Sequence, residues 1–368
     1  MNVAIMGAGL SGLTCALVLE KNGIRPTIFE KRNCVGDRFV NGEIFLSVLS
    51  RPVEDCMSFL ADEYGIYLKP ISNIRRFILH SQHECAHIHG RLGFCDIRGR
   101  HANSFENQLA QQVKSEIIYN STCTYETVLQ EFSHVVLATG DAAYASKVQD
   151  FRIYLTTTIQ GATVTGDFDR YTIMAWLDNS LAPKGYAYLI PFSEKEANLA
   201  LFYPDSPAIE ARDKERFWSL FHKRACRDLG QELPVTDRFE ISRYINGICR
   251  YPRIGNTYFT GNCFGAVAPF LGFGQFVSIL TGIYAACDIA GKGKYEELTK
   301  PLRQNYYNSL VLRSFWEQLN NRQFDLLVKF YRTSLGNGLF NAGRLDVVKI
   351  ISWLLRPWVR RPAYRIER

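Results

Sequence analysis

The 368-residue sequence has no run of about 18 uncharged apolar residues, so no helical membrane span is expected. It has ten cysteines but no C-x-x-C pair, and its N-terminus lacks a secretory signal pattern. That points to reduced thiols in a cytoplasmic protein rather than to a disulfide framework. Internal repeats and low-complexity segments are missing. Basic residues are not interleaved with an aromatic platform on a recognisable motif, so nucleic acid is not an expected partner. Charge is sparse, with 21% charged residues and a net charge of +7. What is plentiful is apolar material, at 47%, enough for a large core arranged as two lobes of one unit. The cationic side chains gather at the end, in Arg356, Arg360, Arg361, Arg365 and Arg368. Such a run is either a solvated tail or a contact for anionic lipid headgroups.

The most informative stretch is the first thirty residues. Asn2–Met6 reads as a strand, Gly7-Ala8-Gly9-Leu10-Ser11-Gly12 follows at once, and Leu13–Lys21 has a helical pattern. Thr27–Phe29 reads as a second strand and ends at Glu30. Strand, glycine turn, helix, strand and acid in this order bind a dinucleotide. Gly7 permits the tight turn, Gly9 lets the backbone approach a pyrophosphate, and Gly12 lets helix and strand pack closely. The helix N-terminus offers N–H groups and the positive dipole end to the phosphates. Glu30 follows Gly12 by 18 residues, near the usual offset of about 20 for a carboxylate that binds ribose hydroxyls. That carboxylate would repel a 2′-phosphate.

Further along, Lys31–Phe39 reads as a polar loop beside the nucleotide, and Asn41-Gly42 as a turn. Pro52–Tyr64 and Ser104–Val113 have helical patterns. Phe77–Asp96 reads as two strands joined near Gly90, and Ile117–Phe132 as short strands and turns. His134–Gly140 is a buried strand whose small end, Ala138-Thr139-Gly140, suits close approach to a cofactor. Phe151–Tyr203 is β-rich, Ala208–Leu229 helical, Thr257–Thr260 a strand, and Gln275–Gly291 a helix of small residues. The expected architecture is α/β. A discontinuous Rossmann-type nucleotide-binding domain takes residues 1–70, 98–150 and 245–295. A β-rich substrate domain takes 71–97 and 151–244, and a helical C-terminal region 296–368.

Three stretches give the chain a resemblance to FAD-dependent oxidoreductases of the para-hydroxybenzoate hydroxylase fold, and within them to the geranylgeranyl reductases. They are Gly7–Glu30, Pro183-Lys184-Gly185-Tyr186-Ala187-Tyr188-Leu189-Ile190-Pro191, and Gly261-Asn262 with Pro269–Gly274. The second is similar to the reductases' proline–glycine–tyrosine…phenylalanine–proline signature, with Tyr188 in place of Trp and Ile190 in place of Phe. In the third the family has Gly-Asp, its Asp bonding the ribityl chain, and later glycines that line the flavin; Gly272 and Gly274 match these. Asn262 stands for that Asp, which implies weaker flavin binding, because an amide oxygen still accepts a hydrogen bond. The family's mid-chain Asp-Gly motif is degenerate (Ala138-Thr139-Gly140-Asp141), and its Cys-Gly motif is not recognisable. Cys34 therefore receives no catalytic role, and no residue is singled out as catalytic.

The resemblance implies FAD as cofactor and reduction of a double bond in an isoprenoid or other lipophilic substrate. The reductant would be NAD(P)H or a protein carrier. A monooxygenase of the same fold, or a non-redox flavin-binding cyclase or degenerate homologue, are the alternatives. Trp176, Tyr186, Tyr188 and Phe192 would line an apolar tunnel, or else serve as ordinary sheet aromatics. Arg38 either touches the cofactor or sits in a solvated loop, and Lys31, beside Glu30, reads as solvent-facing or at the cofactor's rim. His83, Cys85, His87 and His89 share one strand face, but same-face residues lie about 7 Å apart along a line, a poor zinc geometry, so no metal is expected. Asp346–Trp358 is amphipathic, with two tryptophans and a basic end. It suits either a membrane interface, as a peripheral contact, or packing on the body.

Overall fold

A computed structural model describes residues 2–359. The N-terminal unit folds as its pattern requires. Strand β1 (Val3–Met6) is buried throughout and leads through Gly7 into helix α1 (Leu10–Lys21) and strand β2 (Thr27–Phe29). Gly7 has φ +112°, and a Cβ there would strike the carbonyl oxygen of Ala138. A Cβ on Gly12 would strike the carbonyl oxygen of Gly7. Both positions therefore require glycine.

The chain continues through β3 (Asn41–Leu46), α2 (Cys56–Tyr64), β4 (Ser72–His80), β5 (Cys85–Arg98), α3 (Phe105–Ala110), β6 (Ile117–Ile118) and α4 (Tyr125–Glu131). Then come β7 (His134–Leu137), α5 (Ala142–Val148), β8 (Phe151–Thr165), β9 (Thr172–Trp176), β10 (Tyr186–Pro191), β11 (Glu196–Pro204) and α6 (Ala211–Leu229). The last part holds β12 (Val235–Cys249), β13 (Arg253–Ile254), β14 (Thr257–Phe259), α7 (Gln275–Ile289), α8 (Tyr295–Trp316), α9 (Asn321–Tyr331), α10 (Ser334–Phe340) and α11 (Val347–Leu355).

Among the described residues the strands form two sheets. One has the order β13-β14-β7-β1-β2-β6, parallel from β14 to β6. It gathers strands from the three separate segments that the sequence pattern assigned to the nucleotide-binding unit. Helices α1 and α7 pack on one face and α4 and α5 on the other. The second sheet has the order β12-β8-β11-β10-β9-β4-β5-β3, mostly antiparallel. Helix α6 covers one face of it with Phe217, Trp218, Phe221 and Ala225. Helices α8 to α11 gather over the other face.

Three local expectations differ from the structure. Asn41-Gly42 opens strand β3, which joins the second sheet by pairing with β5. The β4–β5 turn lies at residues 81–84, closed by Ser81 N donating to Glu84 O at 2.9 Å. It contains no glycine, so it carried no turn signal. Gly90 instead sits inside β5, where the pairing with β4 is irregular between Ile74 and Arg76. Tyr125–Glu131 is a helix, capped by the Thr124 hydroxyl accepting from Thr127 N at 3.3 Å. With Val128 as its one fully buried residue, it had no apolar stripe to read.

Trp176 is not in a tunnel. It alternates away from Ile173 and Ala175 on β9, into the core under α6. There its Nε1 donates to Asp228 Oδ2 at 2.8 Å, and its ring stacks on His80 with centroids 5.3 Å apart. Burial, with Arg224 nearby and Asp228 partly opposing, pushes His80 down to about 4. A pH consequence follows. Between pH 6.5 and about 4 the unfolded chain binds a proton that the fold refuses, so stability falls across that window by on the order of 3 kcal/mol. His80→Phe keeps the stacking and removes this step. Urea unfolding at pH 7 and pH 4.5 checks it: the loss between the two should be smaller in the variant.

Candidate functional site

A cleft of about 510 Å³ runs over the C-terminal ends of β1 and β7. Gly7, Ala8, Gly9, Leu10 and Ser11 form one wall, Ala138, Thr139 and Gly140 another, and Gly261, Asn262, Gly272 and Gly274 the third. The parallel sheet assembles these three separate segments at one crevice, the position where such sheets take their ligands. The first-turn amides of α1 (Leu10, Ser11, Gly12) have no intrahelical acceptor and face this end. Glu30 lines the cleft: its Oε2 accepts from Ala8 N at 2.8 Å and its Oε1 from Arg32 N at 3.0 Å. Its carboxylate is thereby held rigidly beside the glycine turn. Arg38 also lines the cleft, whereas Lys31 is exposed and does not. Gly12 acts from behind, as the close-packing residue.

The sequence reading did not identify Asn41, Glu43, Tyr244 or Gln275, which also line the cleft. They come from β3, β12 and the start of α7, and no local pattern distinguishes them.

Asn262 has a role of its own. Its side-chain amide donates to Gly140 O at 3.0 Å and to the Tyr244 hydroxyl at 2.5 Å, tying two walls of the cleft together. An aspartate has no hydrogen to donate and would face the Gly140 carbonyl with a charge. Asn262→Asp is therefore expected to lower apo-protein stability by about 1 kcal/mol, as measured by urea denaturation.

A second cavity of about 640 Å³ lies between the second sheet and the helices α8 to α11. Its walls are apolar: Ile173, Ala175, Ile190, Phe202, Phe270, Trp316, Phe330 and Phe340 among others. Tyr186 and Tyr188 line it, as expected. Burial raises both phenols, so both stay protonated. The Tyr186 hydroxyl donates to Leu271 O at 2.5 Å. Phe192 lies just past β10, with its ring against Gly42, and is not among the lining residues; the strand has ended before it can reach the cavity. The two cavities share Asn41, Glu43, Ile159 and Gly272. An apolar chamber thus opens onto the inner end of the dinucleotide cleft.

Helix α11 turns Val347, Val348, Ile351 and Leu355 into the chamber. It leaves Trp353, Leu354 and Ile350 exposed, with Trp358 exposed just beyond its end. No helix is long and apolar enough among the described residues to cross a membrane. Arg360, Arg361, Arg365 and Arg368 lie outside the described residues. Among the described residues no group of three or more His, Cys, Asp or Glu side chains is arranged to hold a metal. His83 lies in the 81–84 turn and pairs with Asp325 at 2.9 Å, away from the strand face of His87 and His89.

Comparison with known proteins agrees with this geometry. Residues 5–44 match the NAD(P)-binding Rossmann-like domain. A stretch of 68 residues, 18% of the chain, is 40% identical to thiamine thiazole synthase of Thermotoga maritima, and the match spans 27% of that protein's length. The fold as a whole is similar to a geranylgeranyl bacteriochlorophyll reductase-like protein of Thermoplasma acidophilum. The TM-score is 0.70 at 15% identity, over 96% of this chain and 98% of that one. It is also similar to the flavin-dependent halogenase CmlS (TM-score 0.65, 15% identity, 98% of this chain, 70% of that one). A third likeness is to the flavin-dependent brominase Bmp2 (TM-score 0.63, 13% identity, 98% of each chain). The chain therefore has the α/β fold of flavin-dependent oxidoreductases and halogenases, built on a dinucleotide-binding Rossmann unit.

Proposed function

We propose that this chain, built on the flavin-dependent oxidoreductase fold, binds FAD and reduces a double bond of an isoprenoid or similarly elongated lipophilic substrate. The observation that carries the reading is the apolar chamber of about 640 Å³ that meets the dinucleotide cleft at Asn41, Glu43, Ile159 and Gly272. A chamber of this size and polarity suits a lipophile.

FAD fits the residues present. Gly9 leaves open space where a side chain would stand, the α1 amides suit a pyrophosphate, and Glu30 suits ribose hydroxyls. Gly261, Asn262, Gly272 and Gly274 would hold the flavin end near the chamber, with Arg38 and the segment Ala138–Gly140 beside it. Reduced FAD supplies hydride when bound. The protein's part is to admit one end of a lipophile, hold it between Tyr186, Tyr188 and Ile190, and keep water out. Electrons would come from NAD(P)H bound transiently or from a protein carrier.

Helix α11 would also serve delivery. Its outward Ile350, Trp353 and Leu354, with Trp358 beyond it, suit a peripheral contact with a lipid surface, and its inner face lines the chamber.

A second reading is an FAD-dependent monooxygenase, favoured by the likeness to flavin-dependent halogenases and to the tetracycline destructase Tet(51) (TM-score 0.57). Mass spectrometry of the product from FAD-loaded protein, reductant and prenyl alcohols separates the two. Gain of two hydrogens supports the reductase, gain of one oxygen the monooxygenase, and recovery of unchanged lipid across the whole prenyl series contradicts both.

A further inference from the structure

Glu43 is the one Asp, Glu, Lys, Arg or His side chain lining the apolar chamber, among the described residues. It also lines the dinucleotide cleft, so it stands where cofactor and substrate would meet. Its Oε1 accepts from Asn41 Nδ2 at 3.2 Å, and its Oε2 lies 3.5 Å from Arg98 Nη1. Arg98 is committed elsewhere: its Nε and Nη2 both lie 2.7 Å from Glu106 Oε1.

Directly across the β3–β5 pair from Glu43 stands Asp96. It is fully buried. Its Oδ1 accepts from Gln275 Nε2 at 3.1 Å, and its Oδ2 has no partner among the described residues. Glu43 and Glu106 thus share one guanidinium, whose charge Asp96 also feels. Burial first, then the neighbouring Glu43 carboxylate, holds the Asp96 carboxyl well above the usual carboxylate range, which favours its protonated form. The other groups facing this pair are Arg98 on β5, Glu106 on α3, Gln275 on α7, Tyr186 and Tyr188 on β10, and Tyr244 on β12.

We propose that Glu43 is the catalytic acid that protonates the substrate, and that Asp96, across the strand pair, stores the proton that Glu43 delivers. This rests on the reductase reading. The resting pair holds one proton, on Asp96. A lipophile entering the chamber strips water from around Glu43 and so draws that proton across to it. A hydride passes from the reduced cofactor to one alkene carbon and the proton from Glu43 to the other. The π bond is lost, two C–H bonds form, and both carboxyl groups are left as carboxylates. Water from the dinucleotide cleft, which Glu43 lines, recharges the pair.

The test uses the full chain with Glu43→Gln and Asp96→Asn. Infrared spectra of the apo protein at neutral pH should show the carbonyl stretch of a protonated carboxyl that Asp96→Asn removes. Glu43→Gln should bind FAD and melt as wild type does, yet form reduced product about a hundredfold more slowly in a single turnover. Asp96→Asn should shift the alkaline limb of the pH–rate profile, where a group that acts in its protonated form is lost. A wild-type rate in Glu43→Gln, loss of its FAD binding, or a carboxyl band that survives Asp96→Asn overturns the proposal. A wild-type protein that reduces no prenyl lipid overturns it together with the reductase reading. The infrared band then separates that failure from the absence of a stored proton.

Discussion

Gly9→Asp is expected to abolish the proposed FAD retention and to leave the apo protein as stable as before. The backbone at Gly9 is extended, with φ −88° and ψ −171°, and it is the N-cap of α1. A Cβ there meets no atom within 4 Å. Aspartate is a favoured N-cap, so the helix start is retained or improved. The same side chain would stand where the pyrophosphate approaches and oppose it with like charge. Affinity should fall at least about a hundredfold, roughly 3 kcal/mol. Gly12→Ala is the matched contrast: its Cβ strikes the Gly7 carbonyl, so it destabilises the apo fold itself. Equilibrium titration with FAD and urea unfolding of both variants check the pair. Loss of apo stability in Gly9→Asp equal to that of Gly12→Ala would contradict the assignment of Gly9 to the ligand.

Ala175→Phe is expected to narrow the apolar chamber, with the second largest effect. Ala175 is buried on β9, opposite Tyr188, and lines the chamber. The chamber's volume of about 640 Å³ has room for a phenyl ring, so the fold need not shift. Long prenyl substrates lose that room. Displacing or straining them by about 1–3 kcal/mol corresponds to roughly a five- to 150-fold drop in kcat/KM. Short prenyl alcohols and FAD binding should be spared. Steady-state rates over a series of chain lengths check this, with an unchanged length preference as the contrary result.

Much of the dinucleotide unit was legible because its signals are local. Gly7, Gly9, Gly12 and Glu30 sit at fixed spacings in one βαβ segment, and the small ends at Ala138–Gly140 and Gly261 mark strands that finish at the same crevice. The tunnel was half legible. Alternation along β10 puts Tyr186 and Tyr188 on one face, and the same rule applied to β9 moves Trp176 to the opposite face. Phe192 falls beyond the strand end, where the rule stops. Glu43 was not legible at all. Its neighbour Asn41-Gly42 looked like a turn, and its importance arises from pairing with Asp96, more than fifty residues later, and from the cavities that meet beside it. Asn262 looked like a weakened ligand, whereas its amide is a donor that the cleft walls use.

The central claim is that reduced flavin in this protein is oxidised by an alkene. The most direct measurement is anaerobic stopped-flow absorbance of the FAD-loaded, chemically reduced protein mixed with prenyl lipids. The account predicts that oxidised flavin absorbance returns without oxygen, at a rate that depends on lipid concentration. Flavin that stays reduced with every prenyl lipid and reoxidises when oxygen is admitted would contradict it.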